Sequence, residues 1–259
     1  MVDNIYMDKN EPKKGSKKAL DNLFHLNLNG TPLIKGEHMT ISIVYGKTEN
    51  VMNNLSGMDI RLNQEEMENY NRFRFPNDQR DYLAAHLLAR YCIHHLTGVA
   101  IHKIELTQHC ATCGGNHGKP EVMYPATTFV SWSHTSGYVA SISAHKPVGI
   151  DIEKMAASLD RAFGDSFLSP LEREAISLAD GDEISSTLYK LWVKKESLIK
   201  LGLFRIDEMR DICLASSNPF YSHNRKKYAF IDIHSNPWMG AAVYEIEDGA
   251  IEKVSLTHL

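Results

Sequence analysis

Among the 259 residues no apolar run approaches the about 20 residues of a membrane-spanning helix, so no span is expected. Cysteine is scarce. Cys92, Cys110, Cys113 and Cys213 are too few for a disulfide scaffold in a chain of this size, and reduced thiols are expected. Positive charge has no excess either: 28 Lys and Arg against 32 Asp and Glu give a net charge of -4, which argues against a nucleic-acid partner. Met1 to Lys9 contain no apolar core of a secretory signal, so a cytoplasmic location is the expectation. A Walker-type phosphate loop fails as well. Gly118-Lys119 runs into Pro120, and Cys113 stands where the first glycine would be; G-x-G-x-x-G and H-E-x-x-H are also missing.

What remains is an ordinary globular mixture, 43% hydrophobic and 23% charged, enough for one large domain or two small ones. Residues 1–38 are Lys- and Asn-rich and are predicted to be a mobile extension. Ile41 to Gly46 alternates as a strand, and Asn63 to Asn71 has a helical pattern. Pro76 opens a helix with the stripe Leu83, Leu87, Leu88, Tyr91 and Cys92, and Gly98 stops it. Val99 to Leu106 reads as a strand, followed by a polar loop from Gln108 to Pro120. Thr128–Ser133 and Tyr138–Ala144 form a predicted hairpin across Thr135-Ser136-Gly137. Ser169-Pro170-Leu171-Glu172 is a capping box, a longer helix runs from Ile184 to Leu201, and two strands fit Tyr228–His234 and Ala241–Ile246. This order suits an α+β fold of mixed sheets with helices on one face.

Chemistry concentrates in two segments. In Val148-Gly149-Ile150-Asp151-Ile152-Glu153-Lys154, the isoleucines take one strand face, so Asp151 and Glu153 share the other. In Trp192-Val193-Lys194-Lys195-Glu196-Ser197-Leu198-Ile199-Lys200, Glu196 and Lys200 lie one helical turn apart, beside the apolar face of Leu188, Leu191, Trp192, Leu198 and Ile199. Each pattern alone has a plain reading, an exposed strand end or a solvated i, i+4 pair. Together, three carboxylates and a lysine suit a magnesium-assisted reaction on a phosphate ester, because hard oxygen ligands select that ion. The hairpin Ser131 to Gly137 adds hydroxyls, an imidazole and turn amides that could cradle a phosphate.

These segments resemble the surfactin-type 4′-phosphopantetheinyl transferases, which have a Gly-Ile-Asp-x-Glu strand followed by a Trp-x-x-Lys-Glu-(Ser/Ala)-x-x-Lys helix. Gly118-Lys119-Pro120, Ser133-His134 with Ser136-Gly137 (Thr135 being an extra residue), and the region Arg72 to Arg90 are similar to further pieces of that family. The resemblance spans about residues 40 to 245. It implies two similar mixed-sheet/helix halves, 39–147 and 148–259, related by a pseudo-two-fold axis with a ligand cleft between them. It also implies magnesium-dependent transfer of the phosphopantetheine arm of coenzyme A to a serine of an acyl, polyketide or peptidyl carrier protein, releasing adenosine 3′,5′-bisphosphate. By resemblance, Asp151, Glu153 and Glu196 hold the metal, Glu196 is the base, and Lys200 serves the leaving phosphate. Ser133, His134 and Arg80 would contact the 3′-phosphate, and Lys119 the adenine and ribose. Some members have basic residues on the first helix where Glu66 and Asn69 stand here, with Arg72, Arg74 and Arg80 nearby. A monomer working in secondary-metabolite assembly is expected.

Two other classes compete. A magnesium-dependent phosphohydrolase or nucleotidyl enzyme would use the same carboxylates without a carrier. A zinc-stapled, non-catalytic binding module would rest on Cys110, Cys113 and His117, which have ligand spacing. A structural zinc site takes four ligands, and neither His109 nor Cys92 completes this one with convincing spacing. A similar loop occurs in some members of the transferase family. Arg161, Phe163, Phe167 and Leu168 suit either helix packing or a surface for an acidic carrier.

Overall fold

The structure is a computed structural model that describes residues 40–110, 113–156, 161–177, 181–215, 220–247 and 253–259. The extension predicted for residues 1–38 lies outside these. In chain order come β1 (Ile41–Lys47), α1 (Thr48–Leu55), α2 (Gln64–Arg72), α3 (Pro76–Thr97), β2 (Glu105–Gln108), β3 (Pro120–Tyr124), β4 (Phe129–Thr135) and β5 (Tyr138–Ala144). There follow β6 (Val148–Lys154), α4 (Arg161–Asp165), α5 (Pro170–Ser177), α6 (Gly181–Leu201), β7 (Phe220–His223), β8 (Lys226–Ser235), β9 (Trp238–Ile246) and β10 (Val254–His258).

Two four-stranded sheets result, ordered β10-β1-β5-β4 and β6-β9-β8-β7, with β2 and β3 as a separate pair. The mixed α+β architecture agrees with the sequence reading. β10 adds parallel to β1, far from it in sequence, so the last strand lies in the sheet built by the first part of the chain. One apolar core spans both sheets and includes Ile41, Ile142, Ile150, Ile152 and Tyr244. Helix α3 packs on β5, and α6 packs on β6 and β9.

Local sequence explains most boundaries. Pro76 sits in the first turn of α3, and Gly98 ends it in a left-handed conformation, φ 70°. Asn63 and Glu66 form a reciprocal capping box on α2. The strand expected over Val99 to Leu106 is different. Ile101–Lys103 forms a 3-10 turn, and only Glu105–Gln108 is strand, because a side pair with β3 takes up just four residues. Phe167 and Leu168 are buried in a cluster with Ile184, Leu188 and Met209, so this part of the suspected carrier surface is core. The side chain of Arg161 lies outside the described residues.

The long helix is tied down by a buried charge on its apolar stripe, where the residue type rather than the helical period argues for solvent. Lys195 is fully buried, and its Nζ donates to Glu172 Oε2 at 2.6 Å, Phe167 O at 2.9 Å and Met209 O at 3.3 Å. Glu172 also accepts from the amides of Ser169 and Leu214, each at 2.8 Å. The capping residue of α5 is therefore the counter-ion of α6. On the other side, a Cβ at Gly149 would stand 2.0 Å from Ser197 O, so the backbones of β6 and α6 are in direct contact. Replacing Glu172 by Ala leaves an unpaired buried ammonium and should lower stability by about 3–5 kcal/mol. Urea denaturation measures this; a loss below about 1 kcal/mol would mean Lys195 finds other compensation.

Candidate active site

Strand β4 runs beside β6, and its alternation decides what each side chain meets. Ser131 Oγ accepts from the Ile150 amide at 3.3 Å, Ser133 Oγ donates to Asp151 Oδ1 at 2.9 Å, and Thr135 Oγ1 donates to Glu153 Oε2 at 3.4 Å. Every second residue thus reaches β6. The intervening Trp132 and His134 instead line a pocket of about 370 Å³ together with Arg72, Phe73, Tyr82 and His86.

From the helix side, Lys200 Nζ donates to the same Asp151 Oδ1 at 2.7 Å. Asp151 is only 4% exposed, and its Oδ2 has no hydrogen-bond partner among the described residues. Burial pushes the Glu153 carboxyl up, and the charge of Asp151 adds to this, against hydrogen bonds from Trp192 and Thr135 and the charge of Lys200. Glu196 is pushed up to about 7 by burial and then by Asp151, with Lys200 opposing and Glu153 adding. Of the three carboxylates predicted as a set, Glu153 thus feels the charge of Asp151, and Glu196 that of both, although their oxygens do not all lie within 4.8 Å of one another. A buried orphan oxygen among mutually repelling carboxylates fits a hard divalent cation.

The remaining predicted residues are more dispersed. His134 faces the pocket, with its pKa lowered by burial and its charge coupled to Asp81 and Lys200. Lys119 Nζ donates to Leu201 O at 2.7 Å, so it caps the carboxyl end of α6. Arg80 is exposed on α3, and among the described residues no hydrogen bond or ion pair joins it to the cluster. Its neighbour Asp81 is buried, accepting from Thr48 Oγ1 and, at 2.9 Å, from the Gly137 amide. The hairpin amide suggested for a phosphate is therefore already occupied. Glu66 is a buried anchor, bonded to Arg90 at 2.7 and 2.9 Å and to His86 at 2.8 Å. The sequence reading takes Thr135 as a turn residue and an extra one in the motif; the structure places it on β4 with its hydroxyl on Glu153, and the hydroxyl at every second position of β4 is the signal for that.

With this geometry in place, comparison with known proteins gives the class. Residues 50–146 match the family model of the 4′-phosphopantetheinyl transferase N-terminal region, and residues 147–245 that of the 4′-phosphopantetheinyl transferase superfamily. The chain belongs to the 4′-phosphopantetheinyl transferase family. It is similar to the 4′-phosphopantetheinyl transferase psf-1 of Bacillus pumilus, 31% identical over 130 residues, covering 50% of this chain and 53% of that protein. A 4′-phosphopantetheinyl transferase of Bacillus subtilis is 34% identical over 85 residues, 32% of this chain and 37% of that protein. The chain thus matches about half or less of the length of these relatives. No helix among the described residues is long and apolar enough to cross a membrane.

The raised Glu196 has a signed consequence. Its pKa is about 7 in the fold against an ordinary 4.5, so the native state holds the extra proton between these values. Its contribution to stability falls as pH rises through that window. A cation needs the ionised form, so magnesium should raise the melting temperature more at about pH 8 than at about pH 5.5, releasing protons as it binds. Melting scans at both pH values check this, and an equal shift at each would remove Glu196 from the cation site.

Proposed function

We propose that this protein transfers the 4′-phosphopantetheine group of coenzyme A to a serine of an acyl, polyketide or peptidyl carrier protein, with magnesium, releasing adenosine 3′,5′-bisphosphate. The observation that carries this reading is the Lys200–Asp151 pair at 2.7 Å, with Glu153 and Glu196 both raised by the Asp151 charge and with His134 of the aromatic pocket feeling the charge of Lys200. The names of the Bacillus relatives support the same reaction. The segments Gly149–Glu153 and Trp192–Lys200 favour the surfactin-type branch.

Asp151, Glu153 and Glu196 are the residues that would hold the metal. When bound, a divalent cation offsets the negative charge on the pyrophosphate oxygens. Glu196 would also be the base that takes the serine proton. The serine oxygen then bonds to the phosphorus bearing the pantetheine arm, and the bond from that phosphorus to the bridging oxygen breaks. Lys200 offsets the charge that appears on the departing phosphate. Arg80, Lys119, Ser133, His134 and Lys200 are the coenzyme contacts of this reading, with His134 best supported because it lines the pocket.

Two similar halves, 39–147 and 148–259, with coenzyme in the cleft between them belong to the same proposal, although β10 at the end of the second half joins the sheet of the first. Two four-stranded sheets, each backed by one long helix, support it. A monomeric state, a cytoplasmic location and a role in secondary metabolism are part of the proposal too, on the strength of the resemblance alone.

Incubation with magnesium, coenzyme A and a panel of apo carriers, followed by weighing each carrier, tests the reaction. A phosphopantetheine mass gain is expected on at least one carrier. No gain on any of them would reject the reading, and consumption of coenzyme A without a carrier would favour a phosphohydrolase. Asp151→Ala and Glu196→Ala should fold yet lose about 10²- to 10⁴-fold in kcat. Wild-type turnover in either would reject the metal assignment. His134→Ala should raise KM for coenzyme A more than it lowers kcat, whereas Ser133→Ala should act mainly on kcat. Steady-state kinetics separates the two, and the reverse pattern would undo the split that β4 imposes.

A further inference from the structure

The cysteine loop gathers donors of a different chemistry from the carboxylate cluster. The ligand atoms of Cys110, Cys113 and His117 all lie within 4.8 Å of one another, the one such group of His, Cys, Asp or Glu among the described residues. Cys113 Sγ is 2.9 Å from His117 Nε2. Donors around one tetrahedral zinc stand about 3.5–3.8 Å apart, given Zn–S of about 2.3 Å and Zn–N of about 2.0 Å, so small side-chain rotations bring all three to one ion. Neither thiol is in a disulfide, Cys113 is exposed, and Cys110 is half-buried, so solvent ions can reach them.

The backbone is shaped for this closeness. The Gly114 amide donates to Cys110 O at 2.8 Å, and the amides of Cys110 and His117 both donate to Gly115 O at 2.9 Å. Gly114 has φ 71°, a left-handed conformation that suits glycine. A Cβ on Gly115 would stand 3.0 Å from the His117 ring and 3.3 Å from Cys113 Sγ, wedged between two of the three donors. Cys92, a sequence candidate for the fourth ligand, is buried under α3 with its thiol on Ser42 O at 3.1 Å. It belongs to the core, so three donors come together among the described residues.

We propose that Cys110, Cys113 and His117 bind a zinc ion that staples the loop forming one wall of the 370 Å³ pocket. Two thiolates and an imidazole select a borderline-soft cation, whereas the carboxylate cluster selects a hard one, so the two sites sort their metals by donor type. The stapled loop reaches the pocket directly. Gln108, Asn116 and His117 line it, Asn116 O accepts from Asn69 Nδ2, and Gln108 Nε2 donates to Gly118 O at 2.7 Å. That the pocket takes coenzyme A rests on the function proposed above; the metal site does not.

The test measures metal on the full chain, expressed in zinc-supplemented medium and desalted, by plasma mass spectrometry. About one zinc per chain is expected, falling about tenfold or more in Cys110→Ser and Cys113→Ser. Cobalt(II) exchanged into the chelated protein should give a thiolate-to-cobalt charge-transfer band that Cys113→Ser lacks. A wild-type protein without zinc, a Cys113→Ser variant that keeps it, or a Cys110–Cys113 disulfide in its place would overturn the site. Zinc removal should also raise KM for coenzyme A by about tenfold, and an unchanged KM would overturn the stapling of the pocket wall. Zinc held by a protein that loads no carrier would leave the site standing and remove the transferase reading; a transferase that binds no zinc would do the reverse.

Discussion

Two elements from opposite sides of the molecule reach for one oxygen atom. Ser133 of β4 and Lys200 of α6 both donate to Oδ1 of Asp151, at 2.9 and 2.7 Å. Asp151 is thereby fixed where two sheet edges and a helix meet, with its other oxygen buried and unpartnered. Glu153 and Glu196 stand close enough for its charge to raise both. A fold selected for stability alone would separate or pair these carboxylates. Holding them together is a local conflict, and such conflicts concentrate where chemistry is done.

Contacts from both parts of the chain keep α6 from yielding to that repulsion. Lys195 anchors the helix to Glu172, and Lys119 donates to the Leu201 carbonyl at its end. Lys195 lies on the helix that carries Lys200 and Lys119 contacts it, yet the two cations do different things. Lys195 is buried with full hydrogen-bonding and serves the scaffold, Lys119 is bonded to backbone, and only Lys200 points at the carboxylates. A rigid support of this kind lets one side chain keep a short contact across elements 49 residues apart in sequence.

Much of this was legible from one dimension. Period-two alternation placed Asp151 and Glu153 on one face, Pro76 and Gly98 bounded α3, and Gly202, at φ 95°, follows the end of α6. What escaped were facts that depend on distant partners. Lys195 falls on the apolar stripe of α6, yet a lysine there reads as solvent-facing by type, and nothing local points to Glu172, 23 residues away. The pairing of β10 with β1 joins segments about 213 residues apart, which no local pattern encodes. Arg80 and Asp81 show the limit of motif transfer. A shift by one residue around a helix moves a side chain about 100°, enough to exchange an exposed guanidinium for a buried carboxylate that holds the Gly137 turn. The cysteine loop was read as ligand spacing without a fourth donor, and only the folded loop shows three donors brought together.

Gly149 sets the clearance of the whole arrangement. With the Ser197 carbonyl where its Cβ would be, the strand and the helix touch backbone to backbone just two residues before Asp151 and one residue from Glu196. Any side chain at this point would act as a wedge, prying α6 off the sheet and tilting Glu196 and Lys200 outward together. The gap across which the acids confront one another is thus gauged by a single missing methyl group.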